Sequence, residues 1–327
     1  MKTISKLNIL MTGAGGPAAV CAFKSLHDNV GSIHMADMDQ CAAGLYLVPK
    51  EKRHLIPAGD IYHFADTILK LCIQHQIDIL IPTVDVELTT LSPHIQRFEN
   101  YGIQVLISPK KALDIIMDKY ALLNHVEPRV EVGSFDMLAA ASPDQWIDKK
   151  VVIKPIRGSG SRGVEVYERY QDIPKSKLAL ENLMIQEFAE GPEYSVDIMV
   201  AKDGAVKAAI PRVRMRIDSG VSMTGMVENN AQVIDYVKKV VQNLGIRYSA
   251  NVQVILSPTK GPRLIEINPR FSGGLSLVIE SGADTPMMSI KECLGHTVET
   301  VKTFKEIGMV RTFSETFIQS DELMHVS

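Results

Sequence analysis

Three stretches of the chain carry side chains whose type and spacing suit phosphate and metal chemistry. The strongest is Arg263-Leu264-Ile265-Glu266-Ile267-Asn268-Pro269-Arg270. On a strand, residues two apart face one side. Glu266, Asn268 and, if the strand persists, Arg270 then point one way, with Ile265 and Ile267 opposite. A carboxylate beside an amide oxygen suits a hard cation such as Mg²⁺, and an adjacent guanidinium suits phosphate. Asn251-Val252-Gln253-Val254 offers a second oxygen-bearing face, joined to the first by a hairpin through Pro258 and Gly261. Taken alone, the run also fits an exposed polar strand face.

The second stretch is Val151-Val152-Ile153-Lys154-Pro155 with the loop Gly158-Ser159-Gly160-Ser161-Arg162-Gly163. A lysine ending a buried strand is a positioned cation, and a glycine-rich loop lets backbone N–H groups approach phosphate closely. The loop lacks the G-x-x-x-x-G-K-[ST] pattern, so it is not a Walker A loop; a surface loop is the plain alternative. In the third, Gln186-Glu187-Phe188-Ala189 runs through Gly191-Pro192 to Glu193. A strand edge entering such a turn exposes backbone groups able to read an adenine edge, and Glu193 can accept from ribose hydroxyls. An ordinary acidic turn is the alternative.

Two other runs bear on substrate. Gly13-Ala14-Gly15-Gly16-Pro17-Ala18 fits G-x-G-x-x-A, and Asp37 follows at ribose-partner spacing, a dinucleotide fingerprint by spacing alone. A plain βα turn, or one whose N–H groups face a substrate carboxylate, fits as well. Arg212, Arg214 and Arg216 recur at period two. Like charges abreast on one strand face repel unless anions sit there, which makes Arg212 and Arg214 candidates for a substrate carboxylate; a solvated face is the alternative. Gly273 and Gly274 can offer N–H groups to a developing oxyanion.

The elements that must position these residues fall into two textures. Strands expected over 7–11, 32–36, 77–81 and 105–108 alternate with helices over 17–26 and 64–74, which implies a parallel sheet covered by helices. Beyond residue 118 the pattern changes: strands over 151–154, 164–167 and 183–187 with a helix over 172–182, then strands over 194–201, 206–210, 247–256 and 263–268 with a helix over 232–243. The later spacing suggests an antiparallel sheet.

In this order the three stretches resemble the ATP-grasp superfamily, within it the single-copy, carbamoyl-phosphate-synthase-like branch. The resemblance spans essentially the whole chain. It implies a mixed α/β (α+β) fold with a Rossmann-like pre-ATP-grasp lobe over 1–112, a lid over 113–190 and an antiparallel C-terminal lobe over 191–327. It further implies Lys119 and Lys154 as nucleotide lysines, with Gly158, Ser159 and Gly160 in the phosphate loop. Glu187 and Ala189 would meet adenine through their backbones, with Phe188 beside them, and Glu193 would hold ribose. Gln253, Glu266 and Asn268 look like metal ligands, and Arg270 like the arginine that stabilises the transferred phosphate. Gln253 replaces the commoner glutamate, removing one negative charge. The implied activity is that of an ADP-forming carboxylate–amine ligase working through an acyl phosphate. It would use ATP and one or two Mg²⁺ ions, with Mn²⁺ as a substitute, on a small carboxylate or amino acid. A complete carbamoyl phosphate synthase needs two such units, and this chain has one.

Bulk properties set outer limits. The chain has 327 residues, 46% hydrophobic and 22% charged, with a net charge of −3. Such a length fits two or three packed lobes, and the charge leaves no global basic field for nucleic acid or an anionic membrane. The N-terminal stretch is broken by Asn8 and glycines, and no apolar run approaches the ~20 residues of a membrane span. Four cysteines without a C-x-x-C pair read as reduced thiols in a cytoplasmic protein. Related proteins are often dimers, so the resemblance allows a homodimer. Besides a ligase, an NAD(P)-dependent oxidoreductase and a non-catalytic nucleotide-binding subunit of a larger synthetase remain open. Calorimetric titration separates the first two: ATP·Mg²⁺ is expected to bind and NADH not to, and NADH binding without ATP binding would sink the ligase reading.

Overall fold

Three sheets order the computed structural model, which describes residues 2–126, 147–158, 162–178, 180, 182–218 and 220–323. Ser159 and Gly160 lie outside the described residues. The first sheet joins β1 (Asn8–Thr12), β2 (Ser32–Asp37), β3 (Arg53–Leu55), β4 (Ile79–Ile81) and β5 (Gln104–Val105), all parallel, in the order β3-β2-β1-β4-β5. Helices α1 (Pro17–Leu26), α2 (Phe64–Gln74), α3 (Asp85–Leu91) and α4 (Ile95–Glu99) accompany it. In such a doubly wound sheet the strand order reverses beside β1, and the crevice at the strand ends there receives ligands.

Helices α5 (Lys110–Ile116) and α6 (Lys119–Val126) lead to a small antiparallel sheet of β6 (Val151–Pro155), β7 (Glu165–Tyr167) and β8 (Leu183–Glu187), ordered β7-β6-β8. The helix expected over 172–182 shortens to α7 (Lys175–Leu178). Pro174, which cannot donate a hydrogen bond, precedes its start. The large sheet contains β9 (Glu193–Val200), β10 (Val206–Asp218), β11 (Val221–Val227), β12 (Tyr248–Ser257), β13 (Gly261–Asn268) and β14 (Gly308–Val310), ordered β13-β12-β9-β10-β11-β14 and antiparallel throughout. The strand expected over 206–210 continues through Pro211 to Asp218. The Pro211 carbonyl accepts from the Glu228 amide, on the edge where β11 pairing has not yet begun, so the missing N–H of proline costs no ladder bond.

One face of the large sheet is dry. Val196, Val252, Val254, Leu264 and Ile267 pack there with Val233, Tyr236, Val237 and Val240 of α8 (Ala231–Val241). The Asn230 side chain caps α8 by accepting from the Val233 amide at 3.1 Å. Ala112, Ile116, Leu122, Leu123 and Val126 join this cluster, so these positions of 112–126, a stretch read above with the lid from residue 113 on, pack with the large sheet, while Leu113 packs into the first-lobe core. A second cluster runs from β1 and α1 (Ile9, Met11, Ala18, Ala19, Ala22) into Phe271, Leu275, Leu277 and Val278 of α9 (Leu275–Glu280) and Ile290 of α10 (Thr285–Cys293). The first lobe and the large sheet therefore share one core. The small sheet has its own cluster of Val151, Ile153, Ile173 and Ile185. No helix among the described residues is long and apolar enough to cross a membrane.

A buried carboxyl ties the switch point together. Thr12 Oγ1 donates to Glu87 Oε2 at 2.5 Å, and Thr83 Oγ1 donates to the Thr12 carbonyl at 2.8 Å. Burial pushes Glu87 from an ordinary 4.5 up to about 7; the Thr12 hydrogen bond opposes the rise and Asp37 adds to it. A folded-state value above the unfolded one means that the folded protein holds the proton more tightly. Stability is then full below about 4.5 and declines as pH rises to about 7. Glu87→Gln is expected to stabilise the fold at pH 8 by up to about 2–3 kcal/mol, read as a higher Tm, with the gain shrinking towards pH 5. A Tm difference that does not depend on pH would refute this.

Candidate functional site

The wet face of the large sheet is built by strand register. Glu266 lies opposite Gln253, Gln253 opposite Ser195, and Ser195 opposite Arg212; one rung along, Asn268 lies opposite Asn251 and Asn251 opposite Asp197. Antiparallel pairs and alternate residues share a face, so these side chains form two polar rows over the apolar cluster. Two adjoining cavities stand on them. The first, about 260 Å³, lies between the small and large sheets and is lined by Lys119, Lys154, Gly158, Glu187, Phe188, Ala189 and Glu193. The second, about 540 Å³, lies between the large sheet and the switch point of the first lobe, against Arg212, Asn268, Arg270, Gly273, Gly274 and the Gly15-Gly16-Pro17 turn. Arg214, Gln253 and Glu266 line both. Every expected site residue within the described part of the chain thus falls on one or both cavities.

In the first cavity two lysines converge on Glu266. Lys119 Nζ, at the start of α6, donates to the Gly158 carbonyl at 2.6 Å and lies 3.4 Å from Glu266 Oε2. Lys154 Nζ donates to the Ile265 carbonyl at 3.2 Å. That carbonyl is accessible because β13 bulges: Glu266 pairs with Gln253, but Leu264 pairs with Val254, leaving Ile265 unpaired. The bulge corrects the simple alternation expected above, since Ile265 lines the cavity together with Glu266. Burial lowers the Lys154 ammonium to about 8; Glu266 opposes the shift and Lys119 adds to it. Glu187 spends its carboxylate on Lys260 and Lys149, and Phe188 carries the Lys150 ammonium 4.7 Å from its ring centre. Gln186 was not singled out from sequence. It is 3% exposed, lines this cavity, and its Nε2 has no partner among the described residues.

The arginines have anions, but these are the protein's own. Arg212 Nε and Nη2 meet Asp197 Oδ2 at 2.7 and 2.6 Å, and Nη2 reaches Ser272 Oγ at 3.1 Å. Arg214 pairs with Glu193 and donates to the Gly220 carbonyl at 3.0 Å. The three arginines expected to need anions are thus two internal ion pairs and an exposed Arg216. Asp197 and Glu193 were readable as alternate acidic positions of one strand, but which arginine each meets depends on β9–β10 register. Arg270 is not on the strand face either. β13 ends at Asn268, Pro269 breaks the ladder, and the Arg270 guanidinium grips Asp85 of α3 through two bonds of 2.8 and 3.0 Å. Asn268 Nδ2 donates to Glu266 Oε1 at 3.0 Å. Arg311, also missed, donates to the Gly273 carbonyl at 2.6 Å.

The glycine turn that reads as a dinucleotide fingerprint is satisfied internally. The Gly15 amide donates to Asp37 Oδ2 at 2.8 Å, the Asp39 amide to Asp37 Oδ1 at 2.9 Å, and the Gly16 amide to the Gly13 carbonyl at 2.9 Å. Asp37 thus holds the turn itself, and the turn lines the second cavity.

Comparisons agree with this layout. The family described as "ATP-grasp in the biosynthetic pathway with Ter operon" matches residues 179–316, and the "PylC-like, N-terminal domain" matches residues 9–106. The C-terminal part of the chain, residues 179–316, is thus similar to an ATP-grasp domain. The fold of the chain is similar to that of an N5-carboxyaminoimidazole synthetase from Staphylococcus aureus complexed with ADP (TM-score 0.74, 13% identity, 95% of this chain and 84% of that one). It is likewise similar to a biotin carboxylase–β,γ-ATP complex from Campylobacter jejuni (0.71, 16%, 91% and 73%). An L-amino acid ligase from Bacillus licheniformis is a third (0.67, 13%, 90% and 75%). No curated protein matches.

The tightest steric condition on the second cavity is at Gly274. A Cβ there would stand 2.2 Å from Arg212 Nη1 and 2.7 Å from its Cζ, whereas one at Gly273 would come no nearer than 3.3 Å, to Pro17 Cγ, with Val221 at 3.6 and 3.8 Å. Gly274→Ala must push the guanidinium off Asp197. Uncoupling a buried pair of this kind costs about 3–5 kcal/mol. A large fall in Tm is expected for Gly274→Ala and a small one for Gly273→Ala. Equal Tm values in the two variants would show that the packing argument is wrong.

Proposed function

We propose that the chain is an ATP-dependent, ADP-forming carboxylate–amine ligase whose nucleotide occupies the first cavity and whose carboxylate occupies the second. The observation that carries this reading is the junction: Gln253 and Glu266 line both cavities, so a phosphoryl group crossing from one to the other passes their oxygens. Glu266, Asn268 and Gln253 supply one carboxylate and two amide oxygens, a hard donor set that fits Mg²⁺, with Mn²⁺ as a substitute. When bound, the ion would supply charge neutralisation to the phosphates.

The chain's own groups do the rest. Gln186 Nε2 would donate to an adenine ring nitrogen, and the Glu187–Ala189 backbone would read the adenine edge beside Phe188. Glu193, already tied to Arg214, would accept from ribose. Lys119 and Lys154 would take the phosphates, with Gly158 beside Lys119. The substrate carboxylate oxygen attacks the γ-phosphorus as the bond to the bridging oxygen breaks, releasing ADP. The amine then attacks the acyl carbon, forming C–N as phosphate leaves and the nitrogen's proton passes to solvent. Arg270, oriented by Asp85, would stabilise the transferred phosphate. The Arg212 Nη1 edge and the Gly273–Gly274 turn would face the carboxylate. Positioning and charge stabilisation supply most of the rate in such transfers. The small sheet, with its separate core, would act as the lid that keeps water from the acyl phosphate.

A screen of carboxylate and amino-acid pools is expected to reveal a pair that releases ADP and phosphate in equal amounts. Glu266→Ala should reduce release by about 10³-fold or more, since metal-assisted charge stabilisation is worth several kcal/mol. Full ADP production by Glu266→Ala would refute the metal site. ATP binding without turnover on any pool would favour a nucleotide-binding subunit instead.

A further inference from the structure

Three imidazoles meet on the first lobe, away from both cavities. His34 lies on β2 and His54 on β3, and His75 is the C-cap residue of α2. Register pairs Ala36 with His54; His34 is two residues before Ala36, so all three share a face. Ala36 packs there with Phe64, Leu69 and Cys72 of α2, which places the histidines on the face that α2 covers, at its C-terminal end. One ring nitrogen from each lies within 4.8 Å of the other two. His34 Nδ1 and His54 Nε2 are 2.9 Å apart, with their rings stacked at 5.1 Å. The His75 ring tilts over both, at 5.0 and 4.6 Å.

We propose that His34, His54 and His75 bind a borderline transition-metal cation, with Zn²⁺ as the reference ion. The donor set is all nitrogen, which selects zinc-like ions over Mg²⁺. Three protein nitrogens leave a fourth tetrahedral position for water. Zn–N bonds of 2.0–2.1 Å put ligand nitrogens about 3.3 Å apart, so the 2.9 Å His34–His54 pair needs to open slightly and any separation nearer 4.8 Å to close. His34 is buried, at 7% exposure, while His54 and His75 are half-buried. The site therefore has a fixed ligand inside and a path from solvent outside. The C-terminal end of an 11-residue helix places the negative end of its dipole beside the cluster. Stacked histidines offering only packing would not need a third ring nitrogen turned to the same point. The site does not depend on the ligase reading.

The test uses the full chain, stripped with chelator and kept in saturating Mg²⁺ so that the oxygen site at Glu266 is filled. Calorimetry with Zn²⁺ should give one site per chain, and Co²⁺ should give the visible bands of a tetrahedral nitrogen site. Zn²⁺ should raise Tm by mass action. His54→Ala and His75→Ala, half-buried positions chosen to preserve folding, should weaken Zn²⁺ at least ~10-fold, the loss that even an outer-shell partner causes, with metal-free Tm near that of the parent. Glu266→Ala should leave Zn²⁺ binding unchanged. No Zn²⁺ binding in saturating Mg²⁺, or binding that survives His54→Ala and His75→Ala together, overturns the proposal.

Discussion

Everything in the candidate site depends on the two-residue repeat of one antiparallel sheet. β9, β12 and β13 must bury Val196, Val252 and Ile267 on α8, because that face is the core of the large lobe. The pleat then sends Ser195, Asp197, Asn251, Gln253, Glu266 and Asn268 to the other face. A one-residue slip of any strand would exchange the two sets. The apolar core is thus what holds the polar rows in register. The bulge at Ile265 is the local departure, and it releases a carbonyl to Lys154.

The second constraint is the core shared by the first lobe and the large sheet. It fixes the walls of the second cavity relative to each other, and the Asp85–Arg270 pair spans them. The small sheet is bound mainly through its own cluster. The walls of the second cavity are therefore tied into one core, whereas the small-sheet wall of the first cavity rests on a smaller, separate one. Buried ion pairs such as Arg212–Asp197 are weak sources of net stability. Their value here is that they aim a guanidinium edge.

Local signals were legible in the sequence where local physics decides. α1 and α2 were read at their observed bounds because Pro17 marks one start and helical periodicity marks the other. β8 was read at its observed bounds from its apolar run. Glu266, Asn268 and Gln253 were legible as oxygen donors because alternation is a local rule. What depends on pairing between distant strands was not legible. The partners of Arg212 and Arg214, the Asp85 clamp on Arg270 and the bulge at Ile265 follow from register, which no spacing in one strand reveals. Asp37 misled for the opposite reason. Its spacing from the glycine turn suits a ribose, yet the same spacing lets it accept from the turn's own amides.

The shared core also bears on how the chain is made. Residues 7–48 of the first lobe complete their packing only with Phe271 and the helices that follow. At about 5–20 residues per second of synthesis, the intervening stretch takes on the order of tens of seconds. Through that interval the face of α1 destined for α9 and α10 has nothing to bury it. A protein built this way finishes its first lobe last, and during translation that lobe is the part that waits longest for its partner surface.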